Sequence, residues 1–122
     1  MRALAVALAS VALLAGCGGG GGGGNAQPAG SIKVTMTEFK FEPSTIPAPA
    51  GKVVFYFVNA GTTSHDMVIR DSTGKRLAAS ELVSAGDSFV FTVSTLTAGT
   101  YTIFCDQPGH EASGMKGTLT IT

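Results

Sequence analysis

The sequence carries little charge, and the charged residues do not cluster. Its 122 residues include eight Lys and Arg and eight Asp and Glu, spread along the chain. A nucleic-acid-binding surface needs a basic patch, so we expect no nucleic-acid partner. The same scatter gives no basis for strong electrostatic steering of a partner. The length is that of one domain at most.

Sustained helical periodicity is also missing, because only the short stretch LAASELVSA at 77–85 resembles a helix. Short runs rich in Val, Ile, Thr, Phe and Tyr instead alternate with turn residues. They predict an all-β domain over residues 31–122, a sandwich or barrel. The apolar run at 53–58 predicts a strand covered on both faces. The predicted strands are 31–41, 52–58, 65–70, 88–94, 100–105 and 117–121, with 75–83 left ambiguous.

The first sixteen residues have the pattern of a secretory signal peptide. MRALAVALASVALLAG begins with one positive charge, Arg2, and continues as a small, apolar run. This run is short for a membrane-spanning helix, which needs about 20 apolar residues. A buried core helix is the alternative, but the run begins at residue 2 and ends in a glycine tract. We therefore expect an exported protein, periplasmic or at the cell surface.

Leu14-Ala15-Gly16-Cys17 resembles the lipobox of bacterial lipoproteins, in which the cysteine is lipidated and becomes the first mature residue. The resemblance implies that acyl chains on Cys17 anchor the protein to a membrane. A free Cys17, or a disulfide to Cys105, is the alternative. Seven glycines follow at 18–24, and such a tract loses too much backbone entropy on ordering to hold a fold. Residues 17–30 are therefore predicted to be an anchor and a flexible linker.

Cysteine and histidine are scarce, with two of each in the chain. One Cys and one His lie close to a methionine near the C-terminus, as Cys105, His110 and Met115. The other histidine, His65, shares a strand face with Met67 and Ile69, whereas Cys105 shares one with Tyr101 and Ile103. Both faces are expected to point inward, which would place His65 and Cys105 at the same pole of the sandwich.

Two imidazoles, a thiolate and a thioether favour copper over hard ions such as calcium. Two His and one Cys around a weak axial Met is the arrangement of blue-copper electron-transfer sites. Taken singly, a buried His is more often a core residue, a lone Cys an inert hydrophobe and a Met a gap-filler. The order and spacing of all four in an exported β-domain favour ligation. Met36 and Met67 are predicted to be ordinary core or surface residues.

Two segments resemble the cupredoxins, the group that includes plastocyanin, azurin and auracyanin. They are VNAGTTSHDMVI, around the first histidine, and the tail GTYTIFCDQPGHEASGMKGTLTIT. The resemblance covers most of residues 31–122. It implies a Greek-key β-sandwich, one copper ion cycling between Cu(II) and Cu(I), and a one-electron carrier. The implied ligands are His65, Cys105, His110 and Met115.

One residue departs from the resemblance. Many cupredoxins have Asn directly after the first ligand histidine, and this chain has Asp66. An ionised carboxylate only accepts hydrogen bonds, so Asp66 would need donors such as the backbone N–H groups of residues 106–110.

The expected function is a membrane-tethered electron carrier that acts as a monomer. Redox proteins are expected to dock transiently near His110, where Pro108, Gly109 and Ala112 offer a small uncharged surface. An enzyme is not expected, because copper oxidases and nitrite reductases of this superfamily need further histidines for a second copper type. The alternatives are a module that stores or delivers copper, and a structural domain that holds no metal.

Overall fold

A computed structural model describes residues 25–122, and the regular elements in this range are all β-strands. Within it, no helix has the length and apolar character needed to cross a membrane. The predicted signal peptide, residues 1–16, and the predicted lipidation site Cys17 lie outside the described residues. The strands are β1 (Ile32–Thr37), β2 (Lys40–Glu42), β3 (Thr45–Ala48), β4 (Gly51–Asn59), β5 (Val68–Arg70), β6 (Arg76–Ala79), β7 (Ser88–Leu96), β8 (Gly99–Phe104) and β9 (Lys116–Ile121).

The strands form two sheets that pack as a Greek-key sandwich, which confirms the predicted fold class. One sheet has the order β2-β1-β4-β7 and the other the order β3-β9-β8-β5-β6. The pairs β1–β4 and β3–β9 are parallel, whereas the other pairs are antiparallel. The core contains side chains of both sheets, including the rings of Phe55, Phe57 and Phe91, whose centres lie 5.8–6.0 Å apart.

Strand β4 differs from its prediction in how it is covered. Val53, Phe55 and Phe57 are buried, whereas Val54, Tyr56 and Val58 are only partly buried. The strand therefore turns one face to the core and leaves the other partly open to solvent, although both faces are apolar. Continuous apolar sequence predicted cover on both faces, and that prediction is wrong.

Three predicted elements change in detail. The first predicted strand, 31–41, is two strands joined by a turn at 38–39, and the strand predicted at 65–70 is regular only over β5. The sequence TIPA forms β3, which was not predicted. The helix-like stretch 77–85 begins in β6 and contains no helix.

The described end of the predicted linker lies against the domain. Residues 25–30 contain no strand, and the hydroxyl of Ser88 in β7 donates a hydrogen bond of 3.2 Å to the carbonyl of Asn25. This bond places the start of the described chain beside one edge of the first sheet.

Three connections meet at one pole of the sandwich: the β1–β2 turn, the β4–β5 loop (60–67) and the β8–β9 loop (105–115). Because β1 and β4 run parallel, both end at this pole, and the Ala60 N–H donates to the Met36 carbonyl at 2.9 Å. The sites predicted from the sequence lie on two of these connections.

Candidate metal centre

His65 is held by the backbone of the β4–β5 loop. It exchanges two hydrogen bonds with Val83, of 3.0 and 2.8 Å, in a short bridge outside the regular strands. Its side chain is fully buried, as predicted, although His65 precedes the regular strand β5. A buried imidazole needs partners for its two ring nitrogens, so the surroundings of His65 define what it can do.

Asn59, a residue that the sequence analysis did not assign, fixes the turn that leads to His65. It is 1% exposed, and its amide donates to the carbonyls of Thr63 and Val83, both at 2.8 Å. Its side-chain oxygen accepts the N–H of Gly61 at 2.9 Å. These bonds satisfy the buried amide and set the path of the loop. The Asn-x-Gly sequence was the available signal.

The β8–β9 loop brings His110 and Met115 back to Cys105. The Met115 N–H donates to the His110 carbonyl and the Cys105 N–H donates to the Met115 carbonyl, both at 3.0 Å. Gly109 and Gly114 have φ angles of 78° and 110°, a region that residues with a side chain rarely adopt. These two glycines therefore allow the loop to turn. Met115 and Cys105 are fully buried, and His110 is partly buried.

Three donor atoms converge at the pole. The Nδ1 atoms of His65 and His110 are 3.2 Å apart, and the Cys105 sulfur lies 3.9 Å from the first and 3.5 Å from the second. The circumcentre of a triangle with these sides is about 2.1 Å from each atom, close to the ~2.0–2.3 Å of transition-metal bonds to His and Cys. The donor set and its size therefore fit one soft or borderline metal ion.

Comparison with known proteins agrees with this geometry. The family model of the cupredoxin-like domain matches residues 3–121. The chain belongs to the cupredoxin-like family. Its four predicted ligands are positioned as a type 1 copper site, with Met115 fully buried beside the His, Cys and His.

Individual relatives differ in their sequence identity to this cupredoxin and in the part of the chain that the match covers. Plastocyanin from Dryopteris crassirhizoma is 37% identical over 93 residues, 68% of this chain and 88% of that protein. Auracyanin-B from Chloroflexus aurantiacus is 46% identical over 50 residues, 41% of this chain and only 21% of that protein.

Solved structures share the fold. A crystal structure of auracyanin B has a TM-score of 0.67 at 28% identity, and the match covers 80% of this chain and 92% of that one. A copper-containing nitrite reductase from Thermus scotoductus has a TM-score of 0.57 at 21% identity, but the match covers only 22% of that chain. This domain therefore corresponds to one part of that larger enzyme.

Asp66 links the two ligand loops through its carboxylate. One carboxylate oxygen accepts the Asp106 N–H at 2.7 Å, and the other accepts the side-chain amide of Gln107 at 3.4 Å. The prediction of a backbone donor in residues 106–110 is confirmed. The carboxylate thus links the residue after His65 to the residue after Cys105.

Burial raises the pKa of the Cys105 thiol. Hydrogen bonds from the backbone N–H groups of Asp66 and Gln107 lower the pKa, but their effect is smaller than that of burial. Cys105 forms no disulfide with any residue that the structure describes. Metal ligation by cysteine requires the thiolate, so binding at this site displaces a proton.

A charged layer supports the outer side of the β8–β9 loop. The Arg70 guanidinium stacks 4.3 Å from the centre of the Phe104 ring and forms a bidentate pair with Glu111, at 3.2 and 2.5 Å. Arg76 pairs with Asp106 at 2.7 Å. These pairs are partly exposed, so each contributes only ~0.5 kcal/mol, and their main effect is to hold the loop against β5 and β6.

The β1–β2 turn adds two residues that the sequence analysis missed. The Glu38 carboxylate lies 3.2 Å from Nε2 of His65, and the Phe39 ring meets the His110 ring edge to face at 4.9 Å. Phe39 is one of the large apolar side chains that stay exposed, at 40%. No local signal revealed these contacts, because the turn lies inside a run that reads as one continuous strand.

Proposed function

We propose that this cupredoxin binds one copper ion through His65, Cys105, His110 and Met115 and carries single electrons between redox proteins. The observation that carries the proposal is the convergence of both Nδ1 atoms and the Cys105 sulfur within 3.9 Å of one another. Copper bound there would supply a Cu(II)/Cu(I) couple.

The protein's contribution is to hold the ligands still. The backbone of His65 is fixed by its bridge to Val83, and the backbones of Cys105 and Met115 are hydrogen-bonded to each other. Cys105, His65 and Met115 are fully buried, which excludes water from most of the site. Ligands that do not move between two oxidation states favour fast electron transfer.

Electrons are proposed to enter and leave at His110, the ligand that is not fully buried. The exposed Phe39 ring lies against the His110 ring, and the small residues Gly109 and Ala112 flank it in sequence. A small apolar surface of this kind suits a weak, transient interface, below about 1,200 Å². The protein is expected to work as a monomer.

A reversible redox cycle separates an electron carrier from a copper-delivery module, the second candidate. With one equivalent of Cu(II) bound, we expect ascorbate to bleach the visible band and an oxidant to restore it over repeated cycles, with copper retained. The measurement is the absorbance over several cycles beside the copper content after desalting. A delivery module would instead release Cu(I) to a chelating acceptor and would show no recoverable colour.

We propose no enzymatic activity for this chain. Its two histidines are both in the cluster described above, so no imidazole is left to bind a second type of copper. The nitrite reductase that shares the fold is a much longer chain.

The proposed location is a membrane surface, with the domain tethered through lipidated Cys17 after export. The support is the sequence pattern of residues 1–17. In a bacterial host, we expect Cys17→Ser to move most of the protein from the membrane fraction to the soluble fraction, because the acyl anchor is lost. The measurement is immunoblotting of fractionated cells. Continued membrane retention of the variant would rule out the anchor.

A further inference from the structure

We propose that Glu38 is a positioning residue: its carboxylate holds Nε2–H of His65 and so presents the Nδ1 lone pair to the metal. This inference rests on the proposed function, copper binding at the pole. It concerns a residue 27 positions away from His65 in sequence, on a different connection of the fold.

The first support is the geometry of one carboxylate oxygen. Oε1 of Glu38 accepts the backbone N–H groups of Thr62 and Thr63, both at 2.8 Å, and the Thr63 hydroxyl at 2.9 Å. The same atom is 3.2 Å from Nε2 of His65. Three hydrogen bonds to the β4–β5 loop therefore fix the carboxylate, in addition to its contact with the imidazole.

The second support is the environment of His65. Its ring is fully buried, and Nδ1 points to His110 and Cys105. A neutral imidazole has one N–H and one lone pair. A carboxylate can only accept, so the proton must lie on Nε2 and the lone pair on Nδ1. Metal-bound histidines in proteins commonly use their other nitrogen in this way.

The third support is the set of donors around the Glu38 carboxylate. Two backbone N–H groups and one hydroxyl donate to its Oε1, and donors of this kind favour a carboxylate anion. A hydrogen bond from Nε2–H to an anion makes the imidazole a stronger electron-pair donor to a metal.

The fourth support is the space that Gly61 leaves. An added Cβ at this position would overlap the Glu38 carboxylate. The backbone of Gly61 is not in the left-handed region, so alanine is conformationally allowed there. Gly61→Ala should therefore displace the Glu38 carboxylate while the glutamate side chain itself remains, in place of any neutral substitute.

The test compares three variants with one control. Glu38→Ala removes the carboxylate, Glu38→Gln keeps an acceptor oxygen but removes the charge, and Gly61→Ala displaces the group. Glu42→Gln is the matched control, because it removes the same charge from the same hairpin at an exposed residue that pairs with Lys40.

The first measurement is 15N–1H NMR of the metal-free protein with 15N-labelled histidine, above pH 8. The chain has two imidazoles, so a His110→Gln sample assigns His65. We expect protonated Nε2 on His65 with a downfield proton, which moves upfield or is lost by exchange in Glu38→Ala and Gly61→Ala but not in Glu42→Gln. A proton on Nδ1, or an unshifted Nε2–H in Glu38→Ala, would overturn the inference.

The second measurement is copper itself. We expect Cu(II) affinity, by chelator competition, to fall about 10–100-fold in Glu38→Ala and Gly61→Ala, less in Glu38→Gln, and not in Glu42→Gln. The reduction potential should rise in Glu38→Gln, because loss of an anion destabilises Cu(II) more than Cu(I). Unchanged affinity in Glu38→Ala would overturn the inference and leave the proposed function standing. If the wild-type protein bound no copper, the proposed function would fail, and the NMR result would still decide the role of Glu38.

Discussion

Replacement of Cys105 by serine is expected to abolish the visible charge-transfer band of the copper-loaded protein completely. The band requires a thiolate bound to Cu(II), and Cys105 is the cysteine whose sulfur lies within 3.9 Å of both Nδ1 atoms. Serine offers a hydroxyl that stays protonated and binds copper weakly, so the affinity should fall as well.

The fold should survive this change. The backbone N–H of residue 105 still donates to the Met115 carbonyl, and the serine hydroxyl can bond to either imidazole. We expect the metal-free variant to lose no more than about 1–2 kcal/mol of unfolding free energy, measured in urea. Cys17→Ser is the matched control, because it makes the same substitution outside the site and should leave the spectrum unchanged. A Cys105→Ser protein with the wild-type band would refute the ligand assignment.

Gly117→Ala is expected to lower the free energy of unfolding more than a substitution of any exposed side chain. A Cβ at this position would overlap the Ser44 carbonyl, a main-chain group that cannot swing aside. The same carbonyl accepts the Thr118 N–H at 2.8 Å where β3 pairs with β9. The clash therefore separates two strands, at an expected cost of about 3 kcal/mol or more.

Denaturant unfolding of the metal-free protein measures this effect. A loss of 3 kcal/mol is a large part of the ~5–15 kcal/mol that stabilises a typical domain. In a thermal melt, the same loss corresponds to a fall in the midpoint temperature of more than about 10 °C. Gly61→Ala serves as the comparison, because its Cβ meets a side-chain carboxylate that can move aside at the cost of its hydrogen bonds, and we expect a smaller loss of stability. Equal stabilities of the two alanine variants would contradict the packing described for β3 and β9.

The ligand positions could be predicted from the sequence because local rules determine them. Strand parity placed Cys105 with Tyr101 and Ile103, and all three are buried. His65 and Met67 are buried as predicted, although they precede the regular strand β5. The short spacing from Cys105 to Met115 confined three ligands to one loop. The need of Asp66 for a donor followed from the chemistry of a carboxylate.

What the sequence did not reveal depends on contacts between distant segments. Glu38 and Phe39 lie in a turn within a run of largely alternating polar and apolar residues. Their roles depend on contacts with His65 and His110, which lie on other loops. Strand β3 contains Pro47, a residue that argues against a central strand, and it is tolerated because β3 is at the edge of its sheet. The two faces of β4 have similar sequence, so burial could not be assigned without the opposite sheet.

The most direct test of the copper site is an absorption spectrum recorded while Cu(II) is added to the metal-free protein. We expect an intense visible thiolate-to-copper band that grows linearly and stops at one equivalent. Weak absorption typical of copper bound only by nitrogen and oxygen, or no stoichiometric uptake, would contradict copper ligation by Cys105.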